Sequence, residues 1–216
     1  MSPPRVVALV SGGIDSTVLM ARLLALGADV LALSVDYGQR HRRELLAAAA
    51  VSEAMCVPHH VLIAPSLVPP QMAPGGPPAP RGHYQDESMR ATVTPHRNLL
   101  LIALAASWGA QRGATAVAYA AHAGDHAIYP DCRPEFALVL GRLLRLSHYE
   151  PLELLAPFLS ATKGDIVRAG HELGAPLHLT WSCYEGGSRH CARCGTCVER
   201  IEAFRLAGVP DPTDYA

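Results

Sequence analysis

An apolar run, Arg5-Val6-Val7-Ala8-Leu9-Val10, passes directly into Ser11-Gly12-Gly13-Ile14-Asp15-Ser16-Thr17, and a helical pattern follows through Val18, Leu19, Met20, Leu23 and Leu24. Strand, glycine turn and helix start in that order open a βαβ unit and build a seat for phosphate. The first N–H groups of a helix have no partner within it, and the helix macrodipole favours an anion there. Gly12 and Gly13 let the backbone turn sharply and come close to a ligand. Ser11, Ser16 and Thr17 add hydroxyl donors. The candidate nucleotide-binding stretch therefore runs through Val10, Ser11, Gly12, Gly13, Ile14, Asp15, Ser16, Thr17, Val18, Leu19 and Met20. It is not a Walker loop, because no G-x-x-x-x-G-K-[ST] string occurs in the chain.

The remaining pattern repeats the alternation. Residues 6–10, 30–35, 59–63 and 114–121 read as strands. Residues 15–26, closed by Gly27, and residues 44–55, 98–109, 134–146 and 163–173, closed by Gly174, read as helices. Strands alternating with helices predict a doubly wound parallel sheet of α/β class, whose ligands lie beyond the carboxyl ends of the strands. The segments after Val10, Val35 and Ala121 should then converge. Prolines and glycines crowd residues 64–81 and predict a long loop, with a lid as one option. The expected division is an α/β domain over residues 1–180 and a metal-binding segment over 181–216 packed on it.

Composition narrows the function classes. The chain has 216 residues, of which 50% are hydrophobic and 17% charged, as a folded enzyme requires. A net charge of −1 provides no basic field for nucleic acid. The start of the chain lacks the pattern of a signal peptide, and the longest apolar run, residues 99–108, is too short to span a bilayer. A cytoplasmic location with no membrane partner is the expectation.

Four of the six cysteines follow the spacing Cys183-x7-Cys191-x2-Cys194-x2-Cys197. Four thiolates at this spacing suit structural zinc, with an iron–sulfur cluster as the alternative that visible absorption would reveal. Of the other two, Cys56 reads as a packed core residue and Cys132 is ambiguous. The 18 basic residues include a single lysine, Lys163; the rest are arginine. Lys163 opens a helix that Thr162 or Ser160 would cap, where a cation is unfavourable unless an anion lies nearby. Arg97 begins another helix and reads as a further anion contact. Asp131 and Arg133, around a proline turn, would suit a small planar substrate bearing N–H donors and a carboxylate, or equally would pair to stabilise a loop.

The loop S-G-G-x-D-S resembles that of the ATP pyrophosphatases. Adding Asp36-Tyr37-Gly38-Gln39-Arg40-His41, Arg97-Asn98, Tyr129-Pro130-Asp131-Cys132-Arg133-Pro134-Glu135-Phe136, the four cysteines and Ala207-Gly208-Val209-Pro210-Asp211-Pro212-Thr213 makes the chain resemble the 7-cyano-7-deazaguanine synthases of the queuosine pathway. The match runs nearly the whole chain in order. His96 and Ala120 depart from the family pattern, where small residues or glycine are usual. The resemblance implies an adenine nucleotide alpha-hydrolase type of Rossmann-like fold. It also implies ATP and Mg²⁺ as cofactors beside structural Zn²⁺, 7-carboxy-7-deazaguanine and ammonia as substrates, and a homodimer. In that scheme the phosphate loop holds ATP, Asp15 helps to hold Mg²⁺, Lys163 and Arg97 neutralise charge on departing pyrophosphate, and Asp131 and Arg133 face the deazapurine. A tRNA-thiolating or tRNA-ligating relative and a non-catalytic nucleotide-binding module are the competing readings. AMP release stimulated by tRNA would favour the former, and no AMP release at all the latter.

Overall fold

A computed structural model describes residues 2–39, 42–64, 84 and 87–216. Five parallel strands form one sheet: β1 (Arg5–Leu9), β2 (Asp29–Asp36), β3 (His59–Ile63), β4 (Ala116–Ala118) and β5 (Glu153–Leu155). Their order is β3-β2-β1-β4-β5. The chain thus builds outward from β1 to β3, then jumps back to lay β4 against the other side of β1. That reversal opens a crevice at the carboxyl ends of β1 and β4. The helices are α1 (Ile14–Ala25), α2 (Arg43–Ala54), α3 (Arg97–Ala110), α4 (Pro134–Leu146), α5 (Lys163–Glu172) and α6 (Gly195–Ala207).

The period-two alternation of the inner strands sorts their side chains between two cores. Val6, Ala8, Val30, Ala32 and Ala118 meet α1, α2, α5 and α6 on one face. Val7, Leu33 and Val117 meet α3 and α4 on the other. Helices therefore cover both faces, as the alternating pattern predicts. None of the described helices is long and apolar enough to cross a membrane.

The elements read from the sequence differ from those observed in several places. The fourth strand is shorter than the expected 114–121: it spans Ala116–Ala118, Tyr119 N–H still donates to the Leu155 carbonyl at 3.0 Å, and Ala120 and Ala121 line the crevice. The three-residue edge strand β5 and the whole of α6 escape periodicity. In α6 the inward face is Cys197, Arg200, Ala203 and Phe204, and the arginine breaks the apolar pattern. Arg200 is 1% exposed, yet its guanidinium is satisfied. It donates to Thr213 Oγ1 at 2.6 Å, Thr180 Oγ1 at 2.8 Å and the Leu177 carbonyl at 3.1 Å. Cys56, expected in the core, is exposed: α2 has ended, and the chain reverses through Cys56 at φ 54°. The proline-rich segment 64–81 lies, apart from Ala64, outside the described residues.

Because Phe204 is 2% exposed and shares the core of α1 and α5, α6 should unfold with the sheet. Phe204→Ala should cost about 3–5 kcal/mol, read by urea unfolding as one transition with a lowered midpoint; a separate early transition would show α6 to be independent.

Candidate active site

Beyond the strand ends lies a cavity of about 330 Å³, lined from the segments after β1, β2 and β4 and from α5 and α6. The three segments expected to converge do so. At its floor, Gly12 adopts φ +83°, and a Cβ there would stand 2.3 Å from the Glu44 carbonyl oxygen and 2.6 Å from the Ala48 nitrogen. Only glycine allows α2 to press so closely on the loop. From the other side the Trp181 N–H donates to the Gly12 carbonyl at 2.9 Å.

Gly13 caps α1 with extended backbone and no side-chain hydrogen bond. The first amides of α1 are thus left for a ligand. Thr17 N–H and the hydroxyls of Ser16 and Thr17 all donate back to the Gly13 carbonyl, at 3.2, 3.2 and 2.9 Å. They fix the loop's shape. Ser11, Gly13, Ile14, Asp15 and Ser16 line the cavity. Val18, Leu19 and Met20 do not: each is fully buried beneath the loop, in the core.

Lys163 opens α5, whose cap is Thr162: its hydroxyl accepts from Asp165 N–H while the Asp165 carboxylate accepts from Thr162 N–H. The anions that accompany this lysine belong to the chain itself. Its ammonium lies 2.5 Å from Asp15 Oδ2 and 3.4 Å from Glu199 Oε2. Burial works against both charges, but their attraction outweighs it. The Asp15 carboxyl is held below its ordinary value by Lys163 and His122, and the ammonium of Lys163 is raised above its own by Asp15 and Glu199. Asp15 Oδ1 is enclosed and makes no hydrogen bond. His122, 1% exposed, accepts from Gly124 N–H at Nδ1, which leaves Nε2 to carry the proton. That nitrogen stands 3.7 Å from both Asp125 and Glu199. Glu199 eluded the sequence reading because its helix did; its position two residues past Cys197 was the available signal.

Arg97 also lines the cavity but keeps different company. Although burial opposes its charge, Tyr37, Tyr184, Tyr129 and Asp131 hold it firmly protonated. Asp131 does not line the cavity. Its carboxylate accepts from Asn98 N–H at 2.9 Å and so caps α3, whose own cap residue His96 offers no side-chain bond. Arg133 is exposed and donates to the His126 carbonyl at 2.9 Å. Spacing leaves these two open between a ligand contact and a loop-stabilising pair; the structure gives one a helix to cap and the other a surface turn. His96 is exposed at φ 60°, a left-handed conformation that glycine adopts without strain. Ala120 lines the cavity. Cys132 lines it as well, its thiol near Asn98 Nδ2 at 3.2 Å and pushed well above the ordinary value by burial, so it is no nucleophile.

The D-Y-G-Q turn is held by its own side chains. Asp36 accepts from Gly38 N–H at 3.0 Å and from Arg42 at 2.5 Å, and Gln39 Oε1 accepts from Tyr37 N–H at 3.0 Å. Arg40 and His41 lie outside the described residues.

Behind the cavity, the Sγ atoms of Cys183, Cys191, Cys194 and Cys197 all lie within 4.8 Å of one another. Tetrahedral zinc with bonds of about 2.3 Å sets its sulfurs about 3.8 Å apart; Cys191 and Cys197 stand at 3.9 Å. The donor set and spacing fit a tetrahedral metal ion.

A family model described as "Queuosine biosynthesis protein QueC" matches residues 5–208. The 7-cyano-7-deazaguanine synthase of Allorhizobium ampelinum is 46% identical over 217 residues, covering 98% of this chain and 92% of that protein. That of Marinobacter nauticus is 46% identical over 213 residues, covering 97% and 96%. That of Methanoregula boonei is 42% identical over 214 residues, covering 98% and 99%.

Cys197→Ser should release the bound metal, seen by elemental analysis of the purified protein, and lower the melting temperature by roughly 5 °C or more, because metal binding is folding energy. Full metal retention in this variant would show that Cys197 is not a ligand.

Proposed function

The chain belongs to the QueC family of queuosine biosynthesis proteins, and from that premise we propose that it converts 7-carboxy-7-deazaguanine and ammonia into 7-cyano-7-deazaguanine, releasing AMP and pyrophosphate from ATP. The observation that carries this reading is the pairing of a bare helix N-terminus with Lys163 at one end of a cavity that Arg97 lines as well.

A carboxylate resists attack by ammonia because its leaving group would be oxide. Attack of the substrate acid on the α-phosphorus of ATP forms an acyl-adenylate and expels pyrophosphate. Ammonia then displaces AMP and gives the primary amide. The amide oxygen attacks the α-phosphorus of a second ATP and expels its pyrophosphate, and loss of AMP together with both N–H protons of the former amide leaves the nitrile. None of these steps needs a covalent bond to the protein, so catalysis rests on placement and on charge. The amides of Ile14 and Asp15, with the Ser11 hydroxyl, receive the outgoing phosphates. Lys163, held charged by Asp15 and Glu199, neutralises the charge that develops on them. Among the described residues the partners of Arg97 differ from those of Lys163, and we assign Arg97 to the substrate acid rather than to pyrophosphate. Magnesium, which would neutralise ATP's phosphates, fits the enclosed and unpartnered Asp15 Oδ1. The four thiolates suit zinc in a structural role.

We place the protein in the cytoplasm as a homodimer. In support of self-association, α4 presents Leu138, Val139, Leu143 and Leu146 to solvent, the last 85% exposed, with Tyr149 beside them. Leu143→Glu should convert the dimer to monomer in analytical ultracentrifugation; an unchanged sedimentation coefficient would place the interface elsewhere.

Mass spectrometry of a reaction containing the acid, ATP, Mg²⁺ and ammonium should find the nitrile, and its absence from folded, metal-loaded protein would refute the assignment. Lys163→Ala should reduce turnover by roughly 10²–10³-fold, a far larger effect than its change in unfolding free energy. Equal turnover would remove Lys163 from the reaction.

A further inference from the structure

The scheme above leaves Glu44 without a task. It stands in the first turn of α2 and lines the cavity, while its main-chain carbonyl is the group that presses on Gly12. Among the described residues, its carboxylate makes no hydrogen bond or ion pair. Burial raises this carboxyl to about 7, and the one charge that opposes the shift is Arg97 on α3. The other ionisable groups that face it are Tyr37, after β2, and Tyr184, between Cys183 and Glu185. Burial raises both phenols above their ordinary values, so near neutral pH they carry no charge.

A half-buried carboxyl that faces a cavity and has no hydrogen-bond partner is left to accept donors from a ligand. Arg97 shares its cavity, so a bare cation would meet repulsion there. A ligand with N–H donors at one end and an acid at the other satisfies both groups at once. Tyr37 and Tyr184 add aromatic surface for a flat ring between them. Resting on the function proposed above, we infer that Glu44 is the specificity-determining residue for the heterocycle: its two oxygens accept from the ring N–H and the exocyclic amine, while Arg97 takes the acid. Two parallel N–H···O bonds to one carboxylate are short and directional. They replace Asp131 and Arg133, which the fold keeps away from the cavity.

The consequence is selectivity for the amine. A site built to accept from an N–H group rejects an analogue that lacks it, because its acceptor is then left unpaired. Isothermal titration would compare 7-carboxy-7-deazaguanine with the same acid lacking the exocyclic amine, each in the presence of a non-hydrolysable ATP analogue. Wild-type protein should prefer the amine-bearing acid by roughly 10–100-fold, the worth of one hydrogen bond to a charged acceptor. In Glu44→Gln that preference should fall below about 5-fold, with unchanged affinity for the ATP analogue alone, since an amide offers one acceptor where two are needed. Wild-type affinity should also weaken as pH falls below about 7, where protonation of Glu44 competes with the ligand's donors, and Glu44→Gln should lack that dependence. Should Glu44→Gln fail to fold, Glu44→Asp provides the second variant, keeping the preference at reduced affinity. Undiminished preference in Glu44→Gln would overturn the inference. So would a raised KM for ammonium with acid binding intact, which would move Glu44 to the nucleophile. Wild-type protein that binds the ATP analogue but neither acid would instead sink the functional reading on which this one rests.

Discussion

The peptide at Gly12 is held from two sides. The carbonyl of Glu44 and the nitrogen of Ala48 press where a side chain would be, and the N–H of Trp181 bonds its carbonyl. With the loop fixed there, the Gly13 carbonyl can collect the Thr17 N–H and the two hydroxyls behind it. The first amides of α1 stay bare as a result. A side chain at Gly12 would also separate α2 from the loop and move Glu44, so one close contact sets the geometry of both ends of the cavity.

The second organising element is a set of charges that the chain places against one another before any ligand arrives. Lys163 comes from α5, Asp15 from α1 and Glu199 from α6. Packing α5 between α1 and α6 brings them together, and each helix is fixed by its buried face rather than by the charges. Holding an ammonium beside two carboxylates in a half-buried site costs desolvation, which the mutual attraction offsets. What remains is an ammonium of fixed position that faces the cavity.

Much of this was legible in the sequence. The glycine loop, the alternation of strands and helices and the cysteine spacing each follow from local rules, and α4 falls at the predicted residues 134–146. What could not be read depended on distant partners. Asp131 looks like a ligand contact until Asn98 is seen to need a cap. Arg200 hides α6 because its polar partners, Thr180, Leu177 and Thr213, come from outside the helix. Glu44 and Glu199 carry no motif of their own; only the folded chain shows that both face the cavity. Val18, Leu19 and Met20 followed the loop in sequence but turn into the core, since a helix presents to its N-terminal ligand only its first turn.

Helix α6 begins among the sulfurs at Cys194 and Cys197, and Glu199 follows within the same turn, about 3 Å further along the axis at 1.5 Å per residue. A rigid rod so short transmits rotation undiminished. Two of the thiolates that suit a metal and the carboxylate that faces Lys163 therefore ride on one rigid turn and cannot shift independently of each other.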